Sequence, residues 1–108
     1  MPVLLTIAAQ EDIPLTRIAS VFSEKASEIY HLNTGKIAKG YAADLVIFDK
    51  DKEFVVTSDN LRGKCGWSPF EGKTFSSSII HTFVNGTHVV CNGQLTGNKN
   101  SHNLEFNR

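Results

Sequence analysis

Between Pro2 and Tyr30 the apolar residues recur at helical spacing. Leu15, Ile18, Ala19 and Phe22 fall at i, i+3, i+4 and i+7, one face of an amphipathic helix. Pro14 stands at its start, where a missing N–H removes no helical bond. Ser23 is placed to cap a second short helix over Glu24–Tyr30, whose Ala26, Ile29 and Tyr30 continue the apolar stripe. Its third helical position is Ala26 rather than Glu or Gln, so the reciprocal capping box is incomplete. An earlier stretch, Val3 to Gln10, fits another helix, without a cap before it.

After Gly35 the period changes. Leu45-Val46-Ile47-Phe48 is a continuous apolar run between Asp44 and Asp49, the pattern of a strand covered on both faces. Glu53 to Thr57 reads as a second strand, after the turn-prone Asp49-Lys50-Asp51-Lys52. Ser76 to Val84 and Thr87 to Cys91 flank Asn85-Gly86, a strong hairpin signal, and Asn92-Gly93 supplies a further turn. Helices followed by strands make an α+β pattern. The chain divides into a helical segment (1–33), a β-rich segment (34–95) and a polar, Asn-rich tail (96–108) that is expected to fray. No internal repeat is present.

At 108 residues this is one domain or part of one. Lys plus Arg and Asp plus Glu are 11 each, with no basic stripe, which argues against a nucleic-acid partner. No apolar run approaches the roughly 20 residues that span a bilayer, so no membrane role is expected. The apolar start lacks the basic region of a signal peptide, and Asn85-Gly86-Thr87, although it fits a glycosylation sequon, reads as a turn. A soluble, cytoplasmic protein is expected.

The candidate chemistry is sparse. His31, His81, His88 and His102 form neither HxH nor HExxH. A two-residue Asn85-Gly86 turn pairs Val84 with Thr87, Phe83 with His88 and His81 with Val90, so that His81 and His88 become diagonal neighbours on one face. Two ordinary sheet histidines remain the favoured reading, because a metal needs further ligands that this spacing does not provide. Cys91 is expected on the opposite face of the hairpin, and both Cys65 and Cys91 read as inert thiols, with no CxxC. His31, after a helix end, is expected to be structural. Asp44, Asp49, Asp51, Glu53 and Asp59 fit solvated turns, and the glycines form no phosphate loop.

Cys65 to Phe75, CGWSPFEGKTF, gathers a thiol, the sole tryptophan and a carboxylate between glycines and a proline. Gly66 and Gly72 permit backbone angles closed to other residues, and Pro69 pushes Ser68 out of the helical region. Trp67 and Phe70 are apolar anchors suited to pinning such a turn onto a core.

GKIAKGYAADLVIFD (Gly35–Asp49) resembles the segment that follows the barrel in cyclic amidohydrolases: dihydroorotases, allantoinases and hydantoinases. KCGWSPFEGKTFSSSIIHTFVNG (Lys64–Gly86) resembles the C-terminal end of dihydroorotase, and LTRIASVFSEKASEIYHLN resembles the last helical pair of that family. In that pair the second helix usually begins Asn-Pro-Ala, where this chain has Glu24-Lys25-Ala26.

The resemblance implies a fold that is an incomplete part of a zinc-dependent (β/α)8 enzyme. Residues 1–33 would be the last barrel helices, and residues 34–95 strands of a small β-sandwich. The parent reaction would be the interconversion of dihydroorotate and N-carbamoyl-aspartate in pyrimidine biosynthesis, with allantoinase or dihydropyrimidinase as alternatives. The family's HxH, carboxylated lysine, two further histidines and aspartate match no position here. No catalytic, cofactor-binding or metal-binding residue is therefore carried over, and zinc belongs to the parent family rather than to this chain. The chain alone is expected to be inactive, with Trp67 to Gly72 near the mouth of the parent's active site. It is expected to associate with itself or with the missing barrel and N-terminal sandwich segments. A noncatalytic oligomerising or partner-binding module is the alternative from a different class, and a small metal-binding protein using His81 and His88 is a third.

Overall fold

The structure is a computed structural model that describes residues 1–100 and Leu104. His102 and the fraying expected of the last residues fall at 101–103 and 105–108, outside the described residues.

The first helix, α1 (Pro2–Gln10), carries its proline in the first turn. A single helical run then joins α2 (Leu15–Ala19), a π turn (Ser20–Glu24) and α3 (Lys25–Ile29). The break expected at Ser23 is absent. Ser20, Glu24 and Lys25 all keep right-handed helical angles, and no side chain caps α3. With neither Gly nor Pro to stop it, the helix continues, and the Lys25 N–H reaches the Ser20 carbonyl across one wide turn.

The run stops at His31, whose φ of 53° is left-handed. The Leu32 N–H donates to the Ser27 carbonyl at 2.9 Å and the His31 N–H to the Glu28 carbonyl at 3.3 Å, the paired bonds of a Schellman ending. In the structure His31 thus serves as the helix terminator.

The chain then turns back on the helix it has left. The buried Ser27 hydroxyl donates to the Leu32 and Thr34 carbonyls. Gly35 sits at φ +82°, where a Cβ would lie 2.6 Å from the Ser23 carbonyl oxygen and 2.8 Å from the Ser27 Cβ. Lys36 bridges Glu24 (3.3 Å) and Glu28 (3.1 Å) over this junction.

Beyond it, β1 (Leu45–Asp49), β4 (Ser78–Val84), β5 (Thr87–Cys91) and β6 (Gln94–Leu95) form an antiparallel sheet in the order β1-β4-β5-β6. A two-stranded sheet pairs β2 (Phe54–Val55) with β3 (Thr74–Phe75). The expected Glu53–Thr57 strand is therefore shorter, and Ser76 lies outside β4. Both asparagine–glycine turns form: Asn85 and Gly86 (φ 46° and 79°) close β4 on β5, and Asn92 and Gly93 (50° and 76°) close β5 on β6. The first is gripped from β1's approach, where Asp44 Oδ1 accepts the Asn85 N–H at 2.8 Å and the Ala43 carbonyl accepts the Gly86 N–H at 3.0 Å.

The core lies where α1 meets the small sheet. Leu5, Ala8, Val56 and Phe75 are the buried apolar side chains among the described residues. The Thr6 hydroxyl accepts the Ser76 N–H at 3.0 Å, tying the helix to the bend between β3 and β4. The sheet is not covered on both faces as expected, for Val46 and Ile47 remain 45% and 50% exposed. The stripe on α2 and the π turn is equally uncovered, with Leu15 and Phe22 exposed.

CGWSPFEGKTF forms a turn. Gly66 and Gly72 adopt φ of 70° and 79°. The Ser68 hydroxyl accepts the Phe70 N–H at 3.1 Å, and the Gly72 N–H donates to the Val56 carbonyl at 2.8 Å. Phe70 meets Phe75 edge to face, with ring centroids 5.8 Å apart. Trp67 is not an anchor: it is 65% exposed, so one aromatic and a backbone bond hold the turn.

Two comparisons test these packing assignments by urea denaturation. Phe75→Ala should cost about 3–5 kcal/mol, whereas Trp67→Ala should stay within about 0.5 kcal/mol. Gly40, at φ +91° in open space, carries only the left-handed backbone cost of about 1–2 kcal/mol on substitution by alanine. Gly35→Ala adds the overlap with Ser23 and Ser27, and should destabilise more than Gly40→Ala.

Candidate functional site

Among the described residues, a group of His and Cys side chains close enough to share an ion lies on the β4–β5 hairpin. The Asn85-Gly86 turn sets Val84 opposite Thr87 and Phe83 opposite His88. The next pair is Thr82 with Val90 rather than His81 with Val90, because Val89 is an extra residue on β5. This β-bulge moves everything beyond it by one position. Cys91 therefore comes to the level of His81 and turns to the histidine face, reversing the expectation that it lies on the opposite one.

His81 Nδ1 and His88 Nε2 are 3.1 Å apart, a distance that fits one ring N–H donating to the bare nitrogen of the other. The Cys91 sulfur and one ring nitrogen from each histidine all lie within 4.8 Å of one another, and all three side chains are half-buried. The Phe83 ring stacks on His88 at 4.4 Å and 10°, which fixes the plane of that imidazole. On the other side of β4, Ile47 pairs with His81.

The bulge is braced by residues assigned to the fraying tail. The Thr96 hydroxyl donates to the His88 carbonyl at 2.8 Å, and the Asn98 amide to the same oxygen at 3.2 Å. The Thr96 N–H donates to the Val89 carbonyl at 3.0 Å. Asn100 reaches the Thr87 hydroxyl at 2.8 Å. Residues 96–100 thus strap β5, supplying donors to its carbonyls and to the Thr87 hydroxyl.

The remaining candidates are dispersed. Cys65 is exposed, with its thiol directed at the Trp67 carbonyl at 3.4 Å. Asp44 is exposed, as expected, and is also a clamp, since its second oxygen accepts the Thr34 hydroxyl at 2.8 Å. The Asp49 side chain accepts the Asp51 N–H at 2.9 Å within its own turn. Lys25 and Lys36 donate to Glu28 and hold its carboxyl below the usual range, and the same bonds hold both lysines up. These groups are on the surface.

Among the described residues, His81, His88 and Cys91 are the one group of three or more His, Cys, Asp or Glu side chains close enough to share an ion. The two imidazoles come from different strands, and the group holds no carboxylate. It does not fit the HxH, lysine and aspartate set implied for the cyclic amidohydrolase zinc, and no step of that chemistry is assigned to it. No helix of the described residues is long and apolar enough to cross a membrane.

Comparison with known proteins agrees with the motifs. The amidohydrolase family profile matches residues 1–89. A dihydroorotase of Anaplasma phagocytophilum is 34% identical over 89 residues, covering 82% of this chain and 20% of that protein. An allantoinase of Desulfitobacterium hafniense is 34% identical over 94 residues, covering 85% and 21%. Among solved structures, the L-hydantoinase (dihydropyrimidinase) of Arthrobacter aurescens superposes with a TM-score of 0.79 at 28% identity, over 88% of this chain and 22% of that one. The chain spans about a fifth of the length of the curated relatives it matches. With the family profile extending over most of its length and the same mixed helix–strand arrangement found in a hydantoinase, the chain belongs to the amidohydrolase family.

Proposed function

We propose that this chain is the structural C-terminal portion of a dihydroorotase-like cyclic amidohydrolase. The observation that carries this reading is the size of the core. Four apolar side chains are buried among the described residues, while sixteen large apolar side chains are exposed. A chain of this length that folds by itself ordinarily hides more of its apolar surface than that. The exposed residues also lie on defined surfaces: Leu15 and Phe22 on the helical run, and Val46 and Ile47 on the edge strand β1. Such surfaces are suited to receiving other elements, the first against a barrel and the second against further strands of a sandwich. In this reading residues 1–33 close the barrel, residues 34–95 contribute the sandwich strands, and the SPFEG turn stands towards the active-site mouth.

The parent reaction is the opening and closing of a cyclic amide, with dihydroorotate and N-carbamoyl-aspartate as the proposed pair. The dihydroorotase resemblance of Lys64–Gly86 favours that pair over allantoin or hydantoin. Zinc, ring opening and proton transfer belong in this proposal to the parent's barrel, and this chain supplies packing. Partners are a second copy of the chain or the barrel and N-terminal sandwich segments.

Two measurements test the reading. Size-exclusion chromatography with light scattering should show association that grows with concentration; a well-folded monomer throughout would overturn the role assigned to the exposed surfaces. Assays with dihydroorotate, allantoin and hydantoin, with and without zinc, should show no turnover by the chain alone. Robust turnover of any of the three would refute the scaffolding role, and the substrate accepted would name the reaction.

A further inference from the structure

We propose that His81, His88 and Cys91 form a three-ligand site for a borderline divalent transition metal, zinc(II) by preference. A tetrahedral zinc bonded to nitrogen at ~2.0–2.1 Å and to sulfur at ~2.3 Å separates two nitrogens by about 3.3 Å and a nitrogen from the sulfur by about 3.6 Å. His81 Nδ1 and His88 Nε2 already stand 3.1 Å apart, and the Cys91 sulfur lies within 4.8 Å of one ring nitrogen of each histidine. Binding therefore leaves the separation of the two nitrogens nearly unchanged. It needs both rings to rotate so that their lone pairs converge on one point, together with a side-chain adjustment that brings the sulfur in to bonding range.

The surroundings hold this arrangement. Phe83 fixes the plane of His88, and Thr96 and Asn98 brace the bulge that brings Cys91 round. Imidazole and thiolate without carboxylate favour zinc, cobalt or copper over magnesium or calcium. Three protein ligands at a half-buried position leave a fourth place for water or another donor.

The proton balance is simple. The N–H shared between the rings moves to a far ring nitrogen as that imidazole changes tautomer, so both rings offer a lone pair to the ion. The Cys91 thiol loses its proton to solvent, and no bond to carbon forms or breaks.

The test is a cobalt(II) titration of the metal-free 108-residue chain, followed by competition with zinc. One cobalt per chain is expected, with a thiolate-to-cobalt charge-transfer band in the near ultraviolet that zinc abolishes. Cys91→Ser should remove the band. His81→Gln and His88→Gln should each weaken binding by more than the ~10–100-fold typical of changes outside the ligand shell. Cys65→Ser and His102→Gln should change neither band nor affinity.

Absence of the band, its survival in Cys91→Ser, or its loss in Cys65→Ser would overturn the site. A stoichiometry of half an ion per chain would overturn it as well, since the ligands would then come from two copies. Zinc must also raise the melting temperature of the unsubstituted and Cys65→Ser chains. That measurement keeps the proposal open to refutation should the ligand variants fail to fold.

Discussion

Shortage of buried apolar surface is the constraint that shapes this chain. Leu5, Ala8, Val56 and Phe75 cannot by themselves offset the conformational entropy of about a hundred ordered residues. The elements are therefore kept in register by backbone and side-chain hydrogen bonding at a few junctions. Ser27 and Gly35 fold the linker against α3, Asp44 clips the hairpin turn to the approach of β1, and Thr6 holds α1 to the strand region at Ser76. Each junction replaces contacts that a larger core would supply.

The same economy orders the hairpin. Asn85 and Gly86 adopt the two left-handed conformations that suit the natural twist of a two-residue β-turn. Because Asp44 and Ala43 accept both turn amides, the turn is attached to β1 as well as to its own strands. Residues 96–100 then close over β5 from the other side. A strand pair that is half exposed on its side-chain faces is thus secured through its backbone.

Much of this was legible in the chain. The helical period of Leu15, Ile18, Ala19 and Phe22, the apolar run before Asp49 and both Asn-Gly turns stand where local pattern puts them, because each depends on short-range preferences. GKIAKGYAADLVIFD and SPFEGKTF carry the resemblance to the family, and the family profile spans both. The features that escaped depended on alternatives of nearly equal local cost. A serine in a helix without Gly or Pro can either cap a new helix or extend the old one, and here Ser23 extends it through a π turn. Trp67 had the composition of an anchor but no core beneath it. Val89 gave no sign of a bulge: it is a good strand residue, and only the later donors Thr96 and Asn98 show why an extra residue is tolerated there.

That one extra residue has a meaning for how such strands diverge. In a regular ladder, which side chains can meet is governed by parity, so a position's neighbours depend on whether its offset is odd or even. A bulge resets the parity partway along a strand. Two relatives could share every residue of this hairpin's histidine face, differ by a single insertion or deletion near position 89, and yet bring different atoms together. Residue count, as much as residue identity, decides what chemistry this surface can hold.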